Sequence, residues 1–240
     1  MAFNTSRVVA VVLALVTTFA AHAQGKNDDF ASKCPGMAAW QAAHRHAIPD
    51  VTEHKPDAGA SDPKLQRQLL HMYAEDQQAS AAALDSNVDG KPDQKLMDRW
   101  HAVSADNLVT FKGIVQAHGF PTVAAVGKDG VFAAFILAQH ADKDPAFQAS
   151  VLPMLQSSDS RDAVPAEMLA YLTDRILVAQ QKKQRFGTQL YPRDGKMFFR
   201  PIESLNGLDA LRTANGLPMI ADYSCLMSAR TGMETVRPST

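Results

Sequence analysis

Apolar residues recur at helical spacing along most of the chain. Leu65, Leu69, Met72 and Tyr73 share one face of a helix expected from Lys64 to about Leu84. Asp62 stands at its N-cap and Pro63 at its first helical position. Leu96, Trp100, Val103, Leu108, Phe111, Ile114 and Val115 mark a second helix from about Gln94 to Ala117, stopped by Gly119 and Pro121. The run Thr122–Val126 is expected to be extended and Gly127–Gly130 to be a turn, with Asp129 capping a third long helix that continues to Asp142. A fourth follows Asp144-Pro145 and turns Phe147, Val151, Met154 and Leu155 inward. A fifth runs from Ala166 to about Arg185, with Gly187 as the stop beyond it.

The pattern then changes. Two strand-like runs, Thr188–Tyr191 and Lys196–Arg200, flank Pro192-Arg193-Asp194-Gly195, which reads as a β-hairpin. Gly207–Asn215 is a short helix, and another is expected around Met37–Ala43. The expected fold is mainly α, a multi-helix orthogonal or bundle-like domain with a small C-terminal β-hairpin.

The ends of the chain alter this picture. Arg7, the apolar run Val8–Val16 extending to Phe19-Ala20-Ala21, and the small-x-small Ala21-His22-Ala23 make residues 1–23 a secretory signal peptide. A membrane span needs about 20 apolar residues, more than this run supplies, and charges break every later apolar run. No membrane span is therefore expected in the mature chain, which should reach the periplasm or be secreted. Residues 24–62 read as an irregular arm, punctuated by Pro35-Gly36, Pro49 and Pro56, and residues 63–240 as one helical domain with a hairpin and tail. Net charge is −1, with acids and bases interspersed and no basic stripe, so nucleic acid is not an expected partner. The two cysteines, Cys34 and Cys225, are expected to form a disulfide in an oxidising compartment.

Candidate chemistry lies where a plain core would not place polar groups. Leu169–Ala179 reads LAYLTDRILVA, with Thr173-Asp174-Arg175 inside an apolar helix. Adjacent residues on a helix point about 100° apart, so Asp174 and Arg175 need partners elsewhere. Three other clusters are candidates to meet them: Gln139-His140 at the end of the third long helix, Gln184 with Gly187-Thr188-Gln189, and Asp76-Gln77 just past Tyr73. His140 suits proton transfer near neutral pH, and Asp174 is the candidate to orient its ring. Arg175 suits an anion or carbonyl, while Asp76, Gln77, Gln139, Gln184, Thr188 and Gln189 suit a polar ligand. On the residues alone, two readings stay open. One is a ligand or active site; the other is a structural network in which these groups satisfy one another.

Other arrangements are weaker. Asp85, Asn87 and Asp89 with Gly90 have a passing likeness to a calcium loop, but Leu96 occupies the position of the bidentate Glu, so the segment reads as a polar turn. His44, His46 and His54 could hold a metal, although they fall in the irregular arm. No metal or cofactor is assigned. HExxH and Gly-x-Ser-x-Gly patterns are absent from the sequence.

At these same residues the chain resembles a bacterial family known only as a domain of unknown function. The matching stretches are Asp76-Gln77, Gly119-Phe120-Pro121, Val126-Gly127, Ala138-Gln139-His140-Ala141-Asp142, Asp144-Pro145-Ala146-Phe147-Gln148, Leu172-Thr173-Asp174-Arg175 and Gln184-Arg185-Phe186-Gly187-Thr188-Gln189. Phe186 departs from the pattern, where Tyr is more usual. The resemblance lends no reaction, but it groups the polar clusters and favours a site. The expected function is an exported protein with a Gln-His/Asp-Arg/Gly-Thr-Gln pocket. It would act as an acid–base enzyme on a small polar or cell-envelope substrate. The alternative is a periplasmic binding or interaction protein, immunity- or inhibitor-like, whose polar cluster is structural.

Overall fold

The computed structural model describes residues 32–44, 59–86, 92–157 and 163–240. The expected signal peptide, His46, His54 and the centre of the expected Asp85–Asp93 turn lie outside the described residues. The elements run α1 (Pro35–Ala43), α2 (Pro63–Asp85), α3 (Gln94–His118), α4 (Val123–Gln139), α5 (Pro145–Ser157), α6 (Ala166–Ala179), β1 (Leu190–Arg193), β2 (Lys196–Phe199), α7 (Leu208–Ala214), α8 (Ile220–Thr231) and β3 (Glu234–Thr235). The protein is mainly helical, with a small sheet near its C-terminus.

Local chemistry sets the long helices. The Asp62 side chain accepts from the Leu65 amide at 2.9 Å and Pro63 follows it, so α2 starts as expected. Asp93 does the same for α3 through the amides of Lys95 and Leu96. Gly119 ends α3 with φ of 74°. The expected extended run is instead the first turn of α4, because the Thr122 hydroxyl caps it from outside, accepting from the Ala125 amide at 3.2 Å. The chain kinks at Gly127 (φ 69°, ψ 172°), and Asp129 falls inside the helix rather than at its cap. From Gly130 to Gln139 α4 is buried on every side, the mark of a helix at the centre of a core. Met154 of α5 is partly exposed instead of inward.

Of three apolar clusters among the described residues, the two largest share one wall, and the third is a small one of Ala79, Ala83, Met97 and Trp100. The larger joins Leu69 and Tyr73 of α2, Phe111 of α3, Phe132 and Phe135 of α4, Val151 and Leu155 of α5, and Met168, Leu172 and Ile176 of α6. The smaller joins Met37 of α1, Ala170 and Tyr171 of α6, Phe186, Leu190, Met197 and Phe199 around the sheet, and Tyr223, Leu226 and Met227 of α8. Helix α6 therefore presents apolar residues to both cores, which is why LAYLTDRILVA is apolar at nearly every turn. The Cys34–Cys225 disulfide ties the N-cap of α1 to α8.

Helix α6 stops at Ala179, six residues short of expectation, and Gln181 turns the chain with φ of 60°. The hairpin forms as expected, with Leu190 opposite Phe199 and Asp194-Gly195 (φ 52° and 72°) in the left-handed conformations of a type I′ turn. Strand β3 adds parallel to β2, pairing Lys196 with Glu234 and Met197 with Thr235. The expected tail is in part helix α8.

Candidate functional site

The expected site residues fall into three clusters. The first forms where the end of α4 crosses α2. Asp76 and Gln77 continue the buried stripe of α2, so the helix carries an acid and an amide into the core. His140, the residue that caps α4, places Nδ1 2.5 Å from Asp76 Oδ2. Asp76 is wholly buried and also accepts from Gln77 Nε2 at 3.1 Å and Ser104 Oγ at 3.4 Å. Trp100 of α3 packs edge-on against the imidazole, with ring centres 6.0 Å apart. A carboxylate on Nδ1 places the ring proton there and leaves Nε2 as the acceptor. Only 4 % of the His140 side chain is exposed. The pocket expected between the Gln139-His140 end of α4 and the Thr173-Asp174-Arg175 stretch is neither of two cavities, of about 390 and 610 Å³, which, Thr173 in the second apart, are lined by other residues.

The second cluster lies at the α4–α5 corner. Arg175 of α6 reaches Asp142, with Nη1 2.5 Å from Oδ1. Gln148 of α5 bridges the corner, donating from Nε2 to Asp142 Oδ1 at 3.2 Å and to the Gln139 carbonyl at 2.9 Å. Asp144 caps α5 through the Phe147 amide and pairs with Lys112. Burial opposes ionisation of Asp142, but Arg175, His140 and Gln148 outweigh it and hold its carboxyl below the usual carboxylate range. Three buried atoms here have no hydrogen-bond partner among the described residues: Gln139 Oε1, Gln148 Oε1 and Arg175 Nε. Nearby, Trp100 Nε1 is in the same condition. Buried polar atoms are otherwise nearly always paired.

The third cluster surrounds the loop after α6. Asp174, wholly buried, accepts from the backbone amides of Arg185 (2.7 Å), Phe186 (3.0 Å) and Thr188 (2.9 Å) and from the Thr188 hydroxyl (2.9 Å). Burial raises its pKa, against the pull of those donors. Arg212 of α7 holds the same loop by its carbonyls, donating from Nη1 to Phe186 and Gly187 and from Nε to Pro218. Tyr223 Oη donates to the Thr188 carbonyl at 2.9 Å, and burial pushes its phenol up to about 12. Gln184 is engaged throughout: its Oε1 accepts from the Gln189 amide, and its Nε2 donates to the carbonyls of Gln189 and Arg200. Gln189 Nε2 donates to Thr188 Oγ1.

The structure thus brings Asp76 and Gln77 to His140, and Gln139 to Arg175 through Gln148 and Asp142. Asp174, Gln184, Thr188 and Gln189 form a separate group that folds a loop. The acid beside His140 is Asp76, not Asp174, because Asp174 is occupied by amides from its own C-terminal neighbours. Ser104, Trp100, Asp142, Gln148, Arg212 and Tyr223 were not among the expected site residues. Asp142 and Gln148 did stand inside the stretches that carry the resemblance; nothing local marked Ser104 or Trp100. No group of three metal-ligating side chains gathers among the described residues.

No curated protein and no solved structure matches the chain. Residues 63–236 match the model of a family described as of unknown function, DUF6624. That span runs from the first residue of α2 through β3 and takes in every member of the three clusters, so the chain belongs to the DUF6624 family.

Proposed function

We propose that the protein is exported and carries an acid–base couple, Asp76–His140, that acts on a small polar or cell-envelope substrate. One observation carries this reading: a fully buried carboxylate fixes Nδ1 of a histidine 64 positions away, and no group among the described residues bonds Nε2. In this reading Nε2 takes and returns the proton, while Asp76 orients the ring. Gln139, Gln148 and Arg175 at the α4–α5 corner, each with a buried atom that has no partner among the described residues, hold the polar groups of the substrate. Asp174, Thr188, Gln184 and Gln189 act as scaffold. Export is supported by the signal-like first 23 residues and by the disulfide, a bond of oxidising compartments. No helix among the described residues is long and apolar enough to cross a membrane.

The test is a melting-temperature screen of the chain lacking residues 1–23 against polar metabolites and cell-wall fragments, run beside His140→Gln and Asp76→Asn. A compound that raises the wild-type Tm and neither variant's supports the reading. If every compound that binds shifts all three proteins alike, the couple is not the site.

A second reading, an interaction protein of immunity or inhibitor type, draws on the hairpin. Arg193 lies over Phe198 at 4.2 Å and Arg200 over Tyr191 at 4.4 Å, an arginine–aromatic face of the kind enriched at binding hot spots. Complementation of a deletion strain separates the two. Loss with a Tyr191→Ser/Phe198→Ser variant but not with His140→Gln favours the hairpin.

A further inference from the structure

We infer that the cleft between α5, α6 and α7 is a binding site for a small amphipathic anion, an apolar body bearing one carboxylate. The cleft has a volume of about 610 Å³, within the range of small-molecule pockets. Its walls include Leu169 of α6, Phe186 of the clamped loop and Leu211 of α7. Apolar side chains are most of the lining, while polar groups, among them Gln156 of α5, supply about half of its surface, which suits an amphipathic body.

The polar groups at the cleft select the charge. Thr173 donates its hydroxyl to the Leu169 carbonyl at 2.7 Å, and Asn215 donates its amide to the Leu211 carbonyl at 2.8 Å, so both donors are engaged within their own helices. Arg185 is different. It is exposed, no acid pairs with it among the described residues, and its guanidinium lies 5.9 Å from the centre of the Phe186 ring. No carboxylate lines the cleft among the described residues. A guanidinium with no acid partner among the described residues, beside apolar side chains, favours a carboxylate, which it can meet with two parallel hydrogen bonds.

The backbone supports the same assignment. Arg185 and Phe186, the two loop residues that line the cleft, are two of the three residues whose amides Asp174 holds. Arg212 fixes the Phe186 carbonyl from within the smaller core. The wall that carries the charge and the ring is therefore built before a ligand arrives, which lowers the ordering cost of binding. The site uses neither His140 nor Asp76.

The probe is octanoate, titrated by calorimetry into the chain lacking residues 1–23, with octanol as the neutral counterpart. Saturable 1:1 octanoate binding is expected, about tenfold weaker in Arg185→Gln, equivalent to about 1.4 kcal/mol. Arg185 contributes only its backbone amide to the Asp174 clamp, and the substitution leaves that amide in place. Ala166→Trp, at an exposed position on the rim, is expected to abolish binding while leaving Tm unchanged. Equal octanoate affinity in wild type and Arg185→Gln, or undiminished binding in a folded Ala166→Trp, overturns the proposal. So does octanol binding as tightly as octanoate, or no octanoate binding by the wild type.

Discussion

Asp174 and Arg212 grip the same loop, the acid by its amides and the base by its carbonyls. Asp174 takes the amides of Arg185, Phe186 and Thr188; Arg212 takes the carbonyls of Phe186 and Gly187. Both side chains are fully buried. Each neutralises peptide dipoles that would otherwise be unpaired inside the protein, and the loop between them passes the electrostatic interaction from one to the other. Asp174→Asn leaves an amide group facing three donors. It should lower unfolding free energy by about 2–4 kcal/mol, and Arg212→Met by a similar amount. The double variant should lose less than the sum by at least about 1 kcal/mol, because either change alone already loosens the loop. Urea denaturation of the four proteins measures this; additive losses would show that the two residues act independently.

Gly187 sits at the centre of that loop with φ of 71°, where a Cβ would stand 2.9 Å from Ile202 Cδ1. Gly119 has a similar φ, 74°, but nothing within 4 Å of such an atom. The same substitution should therefore cost for different reasons. Gly119→Ala should lose about 1–3 kcal/mol from the backbone alone, because φ of 74° with ψ of −172° is a region that almost only glycine adopts. Gly187→Ala should lose about 2–3 kcal/mol, because the smaller core must also shift. Adding Ile202→Val should recover part of the Gly187→Ala loss in thermal denaturation; no recovery would mean that the Ile202 contact gives way freely.

Where residues signal locally, the sequence was legible. Asp62-Pro63 and the apolar spacing after it place α2 almost to the residue, and Asp194-Gly195 places the hairpin turn. The sequence predicts a longer α6 because Gln180–Arg185 are good helix formers. What turns them back is the demand of Asp174 for amides up to 14 positions away, which has no local trace. The partner of His140 was missed for the same reason. Asp76 and Asp174 both interrupt apolar stripes, and only the crossing of α4 over α2 decides between them. Strand β3, with two residues, is too short to carry a period.

The Asp142–Arg175 pair sets a pH dependence. The carboxyl of Asp142 is depressed below its ordinary 3.8 in the folded protein. A depressed acid contributes stability that is complete above the unfolded value and is lost as pH falls through the lower folded value. Asp144, lowered chiefly by the Lys112 hydrogen bond, acts in the same sense. Asp174, raised by burial, acts in the opposite sense, so the informative quantity is the difference between wild type and Arg175→Gln. The unfolded state cancels in that difference, so it should be constant near neutral pH and shrink as pH falls through the folded Asp142 pKa of the variant, where burial is less opposed, and then that of the wild type. A difference that stays constant as pH falls well below 3.8 would remove Asp142 as the partner that matters.

The Cys34–Cys225 bond closes a loop of 191 positions and joins α1 to α8. Closing so long a loop restricts the unfolded chain, by about 5 kcal/mol on the chain-entropy relation, an upper bound because unfolded chains retain some compactness. Reduction should therefore lower Tm markedly. Locally it should free α1, which has Met37 as its fully buried anchor in the smaller core. Hydrogen exchange in residues 35–43 is expected to become nearly unprotected on reduction, while the amides of α4, buried in the larger core, speed up only by as much as global stability falls. A Cys34→Ser/Cys225→Ser variant should behave as the reduced protein does. Unchanged exchange in α4 together with an unchanged Tm would mean that the bond only tethers the N-terminal helix and does not restrict the unfolded chain.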